Sequence, residues 1–136
     1  MSNADVLAHY LDCLNNRHLD DLDQDVHETL EVNFVDTALT DYQGVIASNI
    51  AAVPDFHWGV RDMLEDGDTI AVRFVDTGTP ITSWFGLEAT GRSFTMQETA
   101  FYHFRDGKLA SVQFLLDLDA VRNDLAGTAD NPATGR

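Results

Sequence analysis

The sequence predicts an α+β protein: a cone-shaped, curled antiparallel sheet, in effect an α+β barrel, packed on N-terminal helices and enclosing a cavity. Three observations point there. Helix-periodic segments come first and strand-like segments follow Pro54, a segregation that argues against alternating βαβ units. Two Asp-Gly pairs, Asp66-Gly67 and Asp106-Gly107, each separate long runs of aromatic and β-branched residues and so mark hairpins. The 136 residues are 44% hydrophobic, with 8 Phe, 3 Tyr and 2 Trp, enough for one core and a lined pocket at this length.

Each element has its own local reason. From 4 to 16, Val6, Leu7, Tyr10, Leu11 and Leu14 recur at helical spacing, with Ser2 or Asn3 as N-cap. Cys13 on that helix reads as a small packed side chain. Residues 17–23 read as a short polar helix or turn, 30–35 as a strand, and 44–53 as a second helix stopped by Pro54. Strands are expected over 56–65, 69–77, 94–104 and 109–116, with a loop over 78–91 and a last short helix over 117–125. A single domain over 1–126 and a small, polar, frayed tail over 127–136 complete the expectation.

Composition narrows the function. Eight Lys and Arg face 23 Asp and Glu, a formal charge of −15, so a phosphate backbone or an anionic bilayer is repelled and neither nucleic acid nor membrane is an expected partner. No apolar run reaches the ~18 residues a spanning helix needs. The N-terminus carries no basic stretch ahead of an apolar one, and the single Cys13 forms no intramolecular disulfide. The cytoplasm is therefore the expected compartment. GxGxxG, GKS/T and GxSxG motifs are absent, and the five His residues form no i, i+4 pair or HExxH pattern, so neither a cofactor nor a metal is expected.

A two-residue loop at Asp106-Gly107 sets Arg105 against Lys108, and by extension Phe104 against Leu109, Tyr102 against Ser111, Ala100 against Gln113, Glu98 against Leu115 and Met96 against Asp117. One face then reads Phe94, Met96, Glu98, Ala100, Tyr102 and Phe104 on the first strand, facing Ser111, Gln113, Leu115 and Asp117. Glu98 and Asp117 become diagonal neighbours about 7–8 Å apart on a largely apolar face, a candidate acid/base pair whose pKa values burial and mutual repulsion would raise. Asp117 equally suits the N-cap of the last helix. The same rule at Asp66-Gly67 brings His57 opposite Asp76, a second candidate acid/base pair. Gln113, Tyr102, Trp84, Phe94, Met96 and Trp58 are the expected substrate-binding residues; Trp84-Phe85 sits in a loop, where an aromatic can contact a ligand or screen it from water.

Pro54-Asp55-Phe56-His57, Glu65-Asp66-Gly67-Asp68, Arg73, Gly86 to Arg92, Phe104-Arg105-Asp106-Gly107-Lys108-Leu109 and Asp117 together resemble the SnoaL-like polyketide cyclases of the nuclear transport factor 2-like superfamily, as do Tyr10-Leu11 and Asn15 to Leu19. The resemblance implies a homodimer with a cofactor-independent site inside the cone, where an Asp at the end of the last strand, here Asp117, is general acid/base in an intramolecular aldol ring closure. Ser111 and Gln113 stand where similar members usually carry an acidic residue and a Trp, and Thr79-Pro80 replaces a common Thr-His. These departures imply a pocket beside Asp117 that is more polar and shaped for another substrate; the substrate class expected overall is an apolar, carbonyl-bearing small molecule, such as a polyketide-derived ester or ketone. An epoxide-hydrolase-like hydrolase, an isomerase of the same fold, and a non-catalytic small-molecule-binding dimer are the alternatives.

Overall fold

The computed structural model describes residues 1–127, so the expected tail lies, from residue 128, outside the described residues. Helix α1 (Asn3–Asn15) starts in a capping box: the Ser2 hydroxyl accepts the Asp5 N–H at 3.1 Å and the Asp5 carboxylate accepts the Ser2 N–H. Its buried stripe is the one the spacing predicts, Val6, Leu7, Tyr10, Leu11 and Leu14, with Cys13 beside it. A 3-10 turn over Leu19–Gln24 leads to β1 (Val26–Val32) and β2 (Val35–Ala38). The single strand expected over 30–35 is thus two strands of a hairpin. Asn33 and Phe34, both at positive φ (46° and 72°), make the tight turn, and nothing in the composition of Asn33-Phe34 advertises it.

Helix α2 (Leu39–Ala52) begins five residues before the expected Gly44, because Leu39, Tyr42 and Ile46 already form its buried stripe. It ends just ahead of Val53-Pro54, as expected. Then come β3 (His57–Asp66), β4 (Thr69–Gly78), β5 (Phe94–Arg105), β6 (Lys108–Leu116) and α3 (Leu118–Ala126). The six strands form one sheet in the order β2-β1-β6-β5-β4-β3. All neighbours are antiparallel except β1 and β6, which pair in parallel. The expectation of a wholly antiparallel sheet is corrected at this one seam.

Two bulges decide which side chains point inward. In β3, Trp58 pairs with Asp76 and Val60 with Phe74, but Asp62 pairs with Arg73, leaving Arg61 as the extra residue. In β6, Leu109 pairs with Phe104 while Ser111 pairs with His103, leaving Ala110 extra. An extra residue reverses the alternation beyond it, so the face assigned by extrapolation from either turn holds near the turn and inverts further along. The turn of the first hairpin also falls one residue later than expected, at Gly67-Asp68, with Asp66 opposite Thr69. Gly67 supplies the positive φ (59°) that this loop needs.

The main core joins α1 and α2 to the inner rows of the sheet: Ile70, Val72 and Phe74 of β4, Ala100, Tyr102 and Phe104 of β5, and Leu109 and Val112 of β6. A second cluster, Val53, Phe56, Trp84, Phe94, Met96, Val121 and Leu125, packs α3 and the 79–93 segment against the opposite end of the sheet. Gly78 belongs to this junction: a Cβ there would sit 2.4 Å from Cγ1 of Val53. No helix of the described residues is long and apolar enough to cross a membrane.

Candidate active site

Between the helices and the inner face of the sheet lies a cavity of about 70 Å³, room for a few waters or a small ring where a single water needs about 10–15 Å³. Tyr10 and Leu14 of α1, Tyr42, Ile46 and Asn49 of α2, and Trp58 of β3 line it. So do Phe56, Trp84, Glu98 and Tyr102, and Val112, Phe114 and Leu116 of β6. The wall is mostly aromatic and aliphatic, and Glu98 is its one carboxylate among the described residues.

The ring positions are fixed by polar contacts at their backs. Asn15 at the end of α1 brackets Trp58, accepting its N–H at 2.9 Å and donating to its carbonyl at 3.0 Å. Arg17 donates to the carbonyls of Pro54 and Phe56 and lies over the Trp58 ring at 5.9 Å. Trp84 and Leu87 exchange backbone hydrogen bonds around Phe85-Gly86, both at positive φ, and this turn lifts Trp84 and Phe85 to the cavity. The Trp84 indole N–H donates to Asn49 Oδ1 at 3.1 Å, and its ring stacks on Phe94 with centroids 5.2 Å apart.

Three phenols gather around Glu98. The Tyr10 and Tyr42 hydroxyls share a hydrogen bond of 2.5 Å, and the Tyr102 ring meets Tyr10 edge-on at 5.9 Å. Burial first, then neighbouring phenols and Glu98, holds Tyr10 and Tyr102 well above the usual phenol range; burial pushes Tyr42 up to about 12. All three therefore stay protonated and remain donors at neutral pH.

Behind Glu98 stands Asp76. Phe74 pairs with Glu98 and Asp76 with Met96, so the two acids are diagonal neighbours on the inner face of β4 and β5. Asp76 is wholly buried and Glu98 nearly so; neither oxygen of Asp76, nor Oε1 of Glu98, meets a hydrogen-bond partner of good geometry. Burial, reinforced by the adjacent Glu98, pushes Asp76 up to about 10. Burial also raises Glu98, while a proton offered by Asp76 pulls it back. Two carboxyls this close in an apolar interior titrate as a unit, both raised by burial, and Glu98 is the member that faces the cavity.

The sequence-predicted residues divide accordingly. Glu98, Tyr102, Trp58 and Trp84 line the cavity. Phe94 and Met96 are buried one layer back, in the second cluster. Gln113 does not face the cavity: the extra residue Ala110 turns it to the other side of β6, where it pairs with Phe101 and its amide donates to Glu31 Oε1 at 3.0 Å. Val112, Phe114 and Leu116 take the inner positions instead. Asp117 is exposed at the N-cap of α3, its carboxylate accepting the Ala120 N–H at 3.2 Å. The expected Asp117–Glu98 pairing is replaced by Leu116 opposite Glu98. His57 pairs with Thr77 and is exposed, because the bulge at Arg61 separates it from Asp76, which faces Trp58. Tyr10, Tyr42 and Asn49 were missed as site residues, since on a helix their spacing reads as core or surface and the sheet that faces them is distant in sequence.

The curled six-stranded sheet closed by helices over an apolar cavity defines a nuclear transport factor 2-like fold. Within that class, the chain belongs to the SnoaL-like polyketide cyclase family, whose sequence profile matches residues 4–125. A SnoaL-like polyketide cyclase from Agrobacterium tumefaciens is 27% identical over 92% of this chain and 98% of its own, with a TM-score of 0.86. IdmH from Streptomyces antibioticus is 22% identical, covering 93% of this chain and 99% of its own, with a TM-score of 0.81. TsrD from Streptomyces laurentii is 21% identical over 90% and 92%, with a TM-score of 0.80; these last two likenesses are of fold. No curated protein matches the chain at a significant level.

Proposed function

We propose that the protein is a cofactor-independent acid/base catalyst that acts on an apolar, carbonyl-bearing small molecule, by intramolecular aldol ring closure or a related proton transfer, with Glu98 as the proton-transferring group. The observation that carries this reading is the single carboxylate in the wall of an otherwise apolar cavity, backed by a second buried acid. Glu98 takes the proton α to a carbonyl, the C–H bond breaks, and the electron pair moves onto the carbonyl oxygen as an enolate. The protonated phenol of Tyr102, and whichever of Tyr10 and Tyr42 keeps its O–H outside their mutual hydrogen bond, supply hydrogen bonds to that oxygen. In an aldol closure the enolate carbon then bonds to a second carbonyl carbon, and the resulting alkoxide recovers its proton from Glu98. Asp76 touches no substrate; as a positioning residue it holds the shared proton and, through it, offsets part of the rise in pKa that burial gives Glu98.

Asp117, the position to which the family resemblance assigns this role, lies outside the cavity wall and serves α3 instead. The homodimer implied by the resemblance is supported by the outer face of the sheet, where Phe101 is 52% and Leu115 78% exposed. With a single cysteine, the chain has no disulfide to lose in a reducing cytoplasm, where we place it.

The test compares Glu98→Gln with Asp117→Asn. Exchange of α-protons for deuterium in enolisable ketones and β-keto esters is followed by NMR, with circular dichroism as the check on folding. Glu98→Gln lowers the exchange rate by about 10²–10⁴-fold, and Asp117→Asn leaves it within about twofold, since Asn caps a helix as well as Asp does. Loss of activity in Asp117→Asn with full activity in Glu98→Gln would reverse the assignment. Binding of such compounds with no exchange by the unmodified protein would make it a small-molecule carrier.

A further inference from the structure

On α1, one residue before the cavity-lining Tyr10 and Leu14, His9 and Cys13 occupy positions i and i+4 and so share one helical face. Asp25, from the residue just before β1, reaches the same point. Its carboxylate contacts His9 Nδ1, and Cys13 Sγ lies 3.9 Å from that nitrogen. The three donor atoms fall within 4.8 Å of one another. We propose that His9, Cys13 and Asp25 form a binding site for a zinc-class divalent cation that ties α1 to the start of β1.

The donor set selects the metal. One thiolate, one imidazole and one carboxylate suit borderline Zn²⁺ and its spectroscopic substitute Co²⁺, and disfavour Ca²⁺ or Mg²⁺, which want oxygen alone. Zn–ligand bonds of about 2.0–2.3 Å put tetrahedral donors about 3.3–3.8 Å apart; the Cys13–His9 pair at 3.9 Å is close to this, and the direct His9–Asp25 contact opens to admit the ion. Small movements of these side chains seat the ion, and water takes the fourth position. Cys13 and Asp25 are buried (3% and 2% exposed), which keeps competing water away, while His9 is 45% exposed and leaves a path for entry. Asp12 and Asp21 add negative charge nearby, so the surroundings attract a cation.

The site has a reason to exist in this fold. Asp25 is a nearly inaccessible carboxylate whose side chain is met by His9, and its backbone carbonyl accepts the Leu109 N–H at 2.8 Å, where β1 joins β6. An ion held there anchors α1, and with it Tyr10 and Leu14 in the cavity wall, to the parallel seam of the sheet. On binding, the thiol S–H bond breaks, its proton passes to solvent, and the sulfur bonds to the metal.

The experiment uses the full, untagged chain, freed of metal with a chelator and titrated with Co²⁺ and then Zn²⁺. One equivalent of Co²⁺ should give a sulfur-to-cobalt charge-transfer band in the near ultraviolet, displaced by one equivalent of Zn²⁺, with Zn²⁺ also raising the melting temperature. Cys13→Ser should abolish the band, and His9→Ala, at a half-exposed position, should weaken Zn²⁺ binding by about tenfold or more without loss of helix. No charge-transfer band in the unmodified chain, or binding that is indifferent to His9→Ala in a folded variant, would overturn the proposal and leave a His9–Asp25 ion pair as the device that joins α1 to β1.

Discussion

The two strands of the β5–β6 hairpin present their inner rows to the same cavity, yet they differ completely in character. The row from β5 carries Glu98 and Tyr102 among Met96, Ala100 and Phe104; the facing row from β6 is Val112, Phe114 and Leu116, with no polar atom in its side chains. The titratable groups at the cavity thus enter from one side, from β4 and β5, with phenols from α1 and α2 overhead. The β6 row contributes shape. A buried carboxyl whose facing strand offers only hydrocarbon keeps its raised pKa, because no side chain of that strand neutralises it.

The sharpest way to break this contrast is to move a charge across it. Phe114→Asp places an unpaired carboxylate against the cavity and should cost about 3–5 kcal/mol, enough to unfold much of the population. Leu115→Asp, one residue on, should change monomer stability by no more than about 0.5 kcal/mol, while sedimentation shows weaker self-association if that face joins two copies. Urea midpoints at low protein concentration distinguish the two, and equal costs would mean the register of β6 is not the one described.

The next test sharpens the role of Asp76. Its folded pKa lies far above the usual 3.8, so the native state keeps a proton that the unfolded chain releases, and stability falls as pH rises from about 4 towards 10. Asp76→Asn removes that dependence. The variant should be more stable than the parent by about 1–3 kcal/mol at pH 8, with the difference vanishing near pH 4. Parallel stability–pH curves for the two proteins would show that Asp76 is ionised in the fold.

The smallest effect belongs to Asp117. Removing its cap by Asp117→Ala should cost about 1 kcal/mol in thermal or urea unfolding, and Asp117→Asn a few tenths at most. A larger loss with Asn than with Ala would point to a role for the charge that capping does not supply.

What could be read from the residues follows the range of each physical signal. Alternation along β5 is strict for twelve residues, buried then exposed throughout, so its inner row, Glu98 and Tyr102 included, was legible. The Asp106-Gly107 turn was also legible, because both positions need positive φ and these residue types tolerate it. The partners of that row were not. Arg61 and Ala110 are ordinary strand residues, and their extra place in the ladder depends on curvature imposed by the whole sheet rather than on local preference. One such residue was enough to exchange Gln113 for Phe114 and His57 for Trp58 at the cavity. The start of α2 was hidden in a similar way, since Leu39 and Tyr42 reveal a helical stripe only when read with Ile46.

The parallel pairing of β1 with β6 also sets the order of assembly. Strands β3 to β6 follow one another through short or moderate connections and can zip together in sequence, whereas β1 finds its partner only when nearly the whole chain is present, Val26 against Leu109 and Val32 against Val112. Loop closure over that distance makes this contact late and slow. On the ribosome, the β1–β2 hairpin must wait with one edge open until β6 emerges. Aggregation during synthesis should therefore respond most to substitutions that make that waiting edge more adhesive.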